Sequence, residues 1–390
     1  MKFKKRTAVQ LISALTAATM SIIYFLYIHD YIDFRILSMG DMNPYGGWTA
    51  LKSYFTDLSY RFRGLTSSIS LTAAVLILAL FGGRFFCGFI CPVGSLQDFF
   101  RYVGSKIGIK EKKLYRAKQF KPEMMKYIIL ILVLCLSVLG YGSLISPFSP
   151  WLAYLNLFFG FNVYFGTYVL LLIIFVSLFV KRVFCRCLCP LGAVQSLLYA
   201  VGPMKINKSE ICSSCGECLK NCPVDIEKSE DDIVSPECIN CLECTGSNCI
   251  IGREGFAITF SNRIVMKGKY IIICLCLFFG IYIMLPVLKS PLAVQTIASI
   301  GNLSNGTYEG SGIGFGGNID VAVCIKENKI IEIRLLSNRE TTGYYEETIK
   351  VMSKEIIGTQ NLNLDAISGA TASGRGFLSA VKDAVSKSLK

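Results

Sequence analysis

Arg84-Phe85-Phe86-Cys87-Gly88-Phe89-Ile90-Cys91-Pro92-Val93-Gly94-Ser95-Leu96-Gln97 recurs 98 residues later as Arg182-Val183-Phe184-Cys185-Arg186-Cys187-Leu188-Cys189-Pro190-Leu191-Gly192-Ala193-Val194-Gln195. Arg, Phe, both Cys, Pro, Gly and Gln match in register, the mark of an internal duplication. The i, i+4 spacing predicts both thiols of a pair on one helical side, with the following proline ending the turn. Four convergent thiolates, Cys87, Cys91, Cys185 and Cys189, can ligate an iron–sulfur cluster. The bland alternatives are tightly packed helix-end residues or a reversible dithiol. Cys187 has no counterpart in the first copy. Cys135, Cys274 and Cys276 fall inside apolar runs, where a free cysteine behaves as a small hydrophobe.

Working outward, the 390 residues are 53% apolar and only 17% charged, with a mean hydropathy of +0.51. Soluble domains carry about 25% charge, so part of this chain belongs in lipid. Five runs, near 7–28, 66–86, 126–146, 163–183 and 268–289, approach the roughly 20 apolar residues that a spanning helix needs. The first follows Lys2, Lys4, Lys5 and Arg6 and lacks a small-x-small cleavage site before His29-Asp30, so it reads as an uncleaved signal anchor. The 104–126 loop holds eight basic side chains against Glu111 and Glu123 and is cytoplasmic by the positive-inside rule. The balanced 30–64 stretch, with the turn-rich Asn43-Pro44-Tyr45-Gly46-Gly47-Trp48, belongs outside. Helices two and four then both run inward. The duplication becomes a parallel repeat about an axis along the membrane normal, with its cysteines at the cytoplasmic face. The net charge of +13 orients helices and meets anionic lipid rather than nucleic acid.

The single histidine, His29, excludes bis-histidine haem, and no C-x-x-C-H haem attachment run is present. Any redox centre is therefore held by thiolates or is organic. Residues 204–262, inside by this topology, contain Cys212-x2-Cys215-x2-Cys218-x3-Cys222-Pro223, followed by Cys238-x2-Cys241-x2-Cys244-x4-Cys249. The first run has the bacterial double-cubane spacing, in which three close cysteines bind one 4Fe-4S cluster and the fourth crosses to the other. Zinc also accepts C-x2-C pairs, but two linked quartets followed by proline fit two cubanes better. Cluster one takes Cys212, Cys215, Cys218 and Cys249; cluster two takes Cys238, Cys241, Cys244 and Cys222. The second quartet has four residues before Cys249 where three are usual.

Past the fifth span (263–290) and a linker (291–304), residues 305–390 read as a small α+β domain. Ile319 to Ile325 alternates with period two and turns at Glu327-Asn328 into Lys329–Leu336, a β-hairpin. Helices near 343–357 and from about 373 follow. Between them lies Asp365-Ala366-Ile367-Ser368-Gly369-Ala370-Thr371, where a phosphate on Thr371 would meet the free N–H groups of a helix N-terminus.

That stretch resembles the FMN-binding domain family, whose members carry FMN through a phosphoester on the last residue of Asp-x-x-Ser/Thr-Gly-Ala-Ser/Thr, attached by a flavin transferase. The resemblance implies covalent FMN on Thr371, with Asp365, Ser368, Gly369 and Ala370 forming the motif. Glu340, Thr341 and Gly343 match the family's Glu-Thr-x-Gly segment near the isoalloxazine. Residues 66–262 resemble the NapH/NosR group of membrane polyferredoxins, which pair C-x3-C-P motifs with a double-cubane cassette. In NosR-type proteins the flavin domain precedes the membrane part; here it follows. The expected architecture is an integral membrane protein with five transmembrane helices (four within 1–203), a cytoplasmic ferredoxin insert and an extracytoplasmic FMN domain. Its expected work is electron transfer between cytoplasmic 4Fe-4S clusters, or the quinone pool, and the external flavin, with redox partner proteins. The alternatives are quinol oxidation, or an accessory, NosR-like role in maturing an external metalloenzyme. No catalytic nucleophile or general base stands out.

Overall fold

The computed structural model describes residues 5–28, 31–32, 42–45, 67–112, 122–139, 148–158, 165–209, 212, 222–226, 234–245, 256–261, 263–287, 303–313, 318–338, 346–362 and 371–389. The chain divides into two compact units: residues 1–22, 43–49 and 69–284, and residues 23–42, 50–68 and 285–390.

Among the described residues two helices, α1 (Lys5–Ile28) and a later one over Lys267–Val287, contain stretches long and apolar enough to cross a membrane. Only 22% and 17% of those stretches are buried by protein. Ile12 and Ile272 are among the apolar side chains left exposed, as a lipid-facing surface requires. The other three expected spans hold α2 (Ser67–Gly82), α4 (Met125–Val138) and α6 (Phe165–Ser177). Among the described residues these helices count 16, 14 and 13 residues, against the roughly 20 that a crossing needs. Helix α2 stops at Gly82 because Gly83 turns to φ +65° and the Tyr270 hydroxyl donates to the Gly82 carbonyl at 2.5 Å.

The motif prolines do not end a helix. Pro92 and Pro190 start α3 (Pro92–Lys106) and α8 (Pro190–Val201), at the first helical position, where a missing N–H costs nothing. Helix α3 buries Val93, Gly94 and Gln97 and leaves Phe99 exposed. It lies tightly on the chain at Leu178, where a Cβ on Gly104 would stand 2.5 Å from the Leu178 carbonyl oxygen. The shorter helices α5 (Pro150–Phe158) and α7 (Val183–Cys187) complete this part of the first unit.

After α8, strands β1 (Met204–Lys208), β2 (Phe256–Phe260) and β3 (Arg263–Val265) form an antiparallel sheet that leads into α9 (Lys267–Val287). Met204 pairs with Phe260 and Lys208 with Phe256, so the ends of the intervening segment lie side by side.

The second unit holds a three-stranded antiparallel sheet, β4 (Gly306–Ile313), β5 (Asn318–Lys326) and β6 (Lys329–Asn338), with helices α10 (Glu346–Thr359) and α11 (Thr371–Lys387). Glu327 and Asn328 both adopt left-handed φ (52° and 61°), the two-residue turn that matches strand twist. Strand β4 carries three glycines, Gly306, Gly310 and Gly312. Gly310 and Gly312 let it rest on the backbone of α11: added Cβ atoms would meet Ala380 O at 2.0 Å and Gly376 O at 2.1 Å. Val321, Val323 and Ile325 of β5 pack with Met352 and Ile356 of α10 and Phe377 and Val381 of α11. Full burial of one such side chain contributes about 1.5–3 kcal/mol.

Candidate functional site

The cysteine pairs straddle helix breaks, not one helical side. Cys87 sits in a π-helical turn, Phe86–Ile90, and Cys91 follows in extended conformation as the N-cap of α3. Cys185 lies in α7, and Cys189 is the extended N-cap of α8, its sulfur accepting from Gly192 N at 3.2 Å. A π-turn advances more residues per revolution than an α-turn, so i, i+4 no longer defines a face.

The two copies interlock by exchange. Gln97 Nε2 of the first copy donates to Cys185 Sγ at 3.2 Å, and Cys87 Sγ lies 3.3 Å from Gln195 Oε1 of the second. Arg182 Nη1 donates to the Cys87 carbonyl at 2.6 Å, and Arg84 Nη2 to the Cys185 carbonyl at 3.5 Å. Cys91 lies within electrostatic range of Cys87, Cys185 and Cys189, which puts the four thiols, here the tetrad, in one neighbourhood. Among the described residues no three Cys, His, Asp or Glu side chains close on a single point as one ion would require.

Two features of the tetrad fit a thiolate-bound cluster. Gln195 Nε2 is buried without a partner, and turning the amide over would let it donate to a deprotonated Cys87, as Gln97 already does to Cys185. The surroundings are also cationic. Arg84 and Arg182 are 1% and 0% exposed. Arg182 grips Asp98 twice at 2.7 Å, and Asp98 is shared with Arg6. Arg84 reaches Glu237 at 3.1 Å, and Glu237 is shared with buried Lys126. Even with Glu243 counted 3.8 Å from Arg6, these cations outnumber the carboxylates. Burial opposes charge on Asp98, but Arg182 and Arg6 overcome it and hold the carboxyl at about 2.

Tyr45 also joins the tetrad. Asn43 and Pro44 are buried, Asn43 Oδ1 accepts from Tyr45 N at 3.0 Å, and the Pro44 carbonyl accepts from Thr72 at 2.9 Å. This places the Tyr45 hydroxyl 3.2 Å from Cys189 Sγ. The turn expected outside therefore has its described part, Asn43–Tyr45, buried among the helices. Nothing in the local sequence ties Tyr45 to a cysteine 144 residues away.

In the ferredoxin insert, Cys222, Cys238, Cys241 and Cys244 line one pocket with apolar neighbours including Val224, Ile226 and Ile239. This is the quartet that the spacing assigns to cluster two. Asn240 (φ 49°) and Leu242 (φ 60°) are left-handed, and Asn240 N donates to Cys238 Sγ at 3.4 Å. Alternating left-handed residues turn backbone N–H groups inward as a nest, a geometry used around iron–sulfur clusters. Burial, with the nearby Cys241 and Cys222, pushes the Cys238 thiol up, so ligation there must expel a proton. Cys212 is half-buried, its N–H bonded to Ser209 O at 2.9 Å. Cys215, Cys218 and Cys249 lie outside the described residues.

In the second unit, Thr371 is helical and opens the described part of α11, two positions ahead of the expected start near 373. Glu340, Thr341, Gly343, Asp365, Ser368, Gly369 and Ala370 lie outside the described residues.

The 4Fe-4S binding domain family matches residues 65–110 and 163–209, one match on each cysteine copy, and the FMN-binding domain family matches residues 314–386. YccM of Escherichia coli, whose name assigns it to electron transport, is 29% identical over 189 residues, 46% of this chain and 53% of YccM. The regulatory protein NosR of Pseudomonas aeruginosa is 30% identical over 44% of this chain and 24% of its own length. The ferredoxin-type protein NapH of Escherichia coli is 26% identical over 50% of this chain and 69% of NapH. The chain thus spans about half the length of YccM and a quarter of NosR. With the 4Fe-4S domain on both cysteine copies and the flavin domain behind them, the chain is similar to NapH and NosR over its iron–sulfur half, belongs to one family with the protein MJ0750 of Methanocaldococcus jannaschii, to which it is 32% identical over 50% of this chain and 81% of that protein, and carries a C-terminal FMN-binding domain.

Proposed function

We propose that this chain is a multi-pass electron carrier of the cell membrane, linking iron–sulfur clusters on the cytoplasmic side to an FMN held covalently on Thr371 outside. The observation that carries it is the pocket shared by Cys222, Cys238, Cys241 and Cys244 in a chain that also bears an FMN-binding domain. In this reading Cys212, Cys215, Cys218 and Cys249 hold a second cubane, and the tetrad holds a further iron–sulfur centre. When bound, the clusters supply one-electron steps, and the flavin takes one or two electrons. The protein's own part is to bury the thiolates, aim N–H and hydroxyl donors at their sulfurs, and neutralise their charge with Arg84 and Arg182. The basic 104–126 loop supports an N-terminus and ferredoxin insert inside and a C-terminus outside. A quinone or partner protein closes whatever gap remains across a core of roughly 30 Å. The similarity to NosR favours a second reading, an accessory role in maturing an external metalloenzyme.

The test combines metal and flavin. Anaerobically purified protein is expected to hold more than about eight irons, about four for each cubane. Coexpressed with a flavin transferase, it should give a fluorescent band on a denaturing gel that Thr371→Ala abolishes without changing the iron content. Stoichiometric zinc without iron, or covalent flavin retained in the alanine variant, overturns the assignment. Activity seen only while a partner enzyme matures favours the accessory role.

A further inference from the structure

The acid that the second copy lacks, the one facing Arg84 of the first, comes from the ferredoxin insert. In the first copy Gln97 is followed by Asp98, the partner of Arg182. The matching position after Gln195 is Ser196, which has no charge, and Glu237 takes that role from outside the repeat. Its carboxylate receives Arg84 at 3.1 Å, Tyr127 at 2.8 Å and Lys126, and lies 3.4 Å from the Ser196 hydroxyl. Glu237 directly precedes Cys238, so the grip extends to the cluster-two turn. That turn lies on the first cysteine copy. A Cβ on Gly88 would stand 2.5 Å from Ile239 O, and one on Gly83 2.6 Å from the Asn240 side chain. Cys87, Val224, Ile239 and Cys241 form one buried cluster, with Cys222 packed against it.

We infer that Glu237 latches the Cys238–Cys241 turn against Cys87, and that electrons cross between the ferredoxin insert and the tetrad at this contact. The inference rests on the reading that both sites hold iron–sulfur centres. Each crossing moves one electron and no atom, oxidising the Cys222/Cys238/Cys241/Cys244 side by one and reducing the tetrad side by one, or the reverse.

The test uses the full-length holoprotein in detergent. When both sites are reduced, the wild type should show magnetic coupling between the tetrad and cluster-two EPR signals. Two signals without coupling overturn the contact. A tetrad without iron overturns the underlying reading and the crossing with it, an outcome visible in the metal count alone. Glu237→Gln should keep its iron but lose the coupling and slow tetrad reduction in rapid-freeze EPR by at least about tenfold, the scale on which small misplacements of reacting groups are felt. Adding Ser196→Asp to this variant returns an acid to Arg84 without a link to Cys238. The tetrad signal should then regain its wild-type shape while transfer stays slow. If Ser196→Asp restores the rate, Glu237 is a counterion only and the latch is wrong.

Discussion

The two cysteine copies keep the same Arg, Cys, Pro, Gly and Gln, yet they differ where the ferredoxin insert touches them. Gly88, which Ile239 overlies, corresponds to Arg186, a buried side chain 3.3 Å from Glu123 and 3.2 Å from Asp225. Asp98 corresponds to Ser196, and Gly83 to Lys181. The first copy carries its own acid and offers bare backbone as a landing place. The second has lost the acid and reaches out with charge. After a duplication, residues that face the shared centre stay paired by symmetry, while those facing a single neighbour diverge to suit it.

Removing Asp98 tests the copy that supplies an acid to its twin and should have the largest effect. Asp98→Ala strands Arg182, which is 0% exposed, and breaking such a buried pair costs about 3–5 kcal/mol. Thermal unfolding in detergent should show it directly. Its pH dependence is also fixed in sign. With a folded value of about 2 against an ordinary value of about 3.9, the contribution of Asp98 is complete above the ordinary value. It is lost as pH falls from about 4 towards 2, and an unfolding series showing loss between pH 8 and 6 would assign that loss to another group.

Giving the first copy a side chain at Gly88 comes next. Gly88→Val forces atoms into Ile239 O, and overpacking of this kind costs about 1–3 kcal/mol. The expected result is an expressed protein with an intact tetrad but a displaced cluster-two turn, read as a changed cluster-two EPR signal. An unchanged signal would mean that the close approach is not needed.

The smallest effect sharpens the comparison at the sulfurs. Tyr45→Phe removes the hydroxyl 3.2 Å from Cys189, which has no equivalent on Cys91 among the described residues. A hydrogen bond to a thiolate ligand favours the more negative, reduced form. Its loss, worth about 0.5–1.5 kcal/mol, should lower the tetrad potential by about 20–65 mV at 59 mV per tenfold for one electron. The ferredoxin-insert potentials should not move.

Features that depend on local spacing were legible in the sequence: the duplication, the grouping of Cys222 with Cys238, Cys241 and Cys244 that the structure shows as one pocket, the Glu327-Asn328 turn, and the apolar α1 and α9. The features that decide how the site works were not, because they arise from contacts between distant residues. The apolar run through 66–86 does not reveal that Gly83 breaks α2, nor does the proline after each pair reveal that it opens a new helix. Glu237 looks like one more acid beside a cysteine until Arg84, 153 positions earlier, closes on it. The Asp365 to Thr371 motif was legible as a run of residues, whereas the helical backbone at Thr371 itself was not.

The β1–β2 ladder has a consequence for how such chains diversify. Because Met204 pairs with Phe260, the path leaves α8 and returns to α9 through neighbouring points. The footprint of the enclosed segment is then independent of its contour length. Residues could be gained or lost between the two strands, at a loop-closure cost that rises only by about 0.6 kcal/mol per doubling, without shifting α9 against α8. Length can therefore change within what hangs from this neck, away from Glu237 and the Cys238–Cys241 turn, while the helices on either side keep their register.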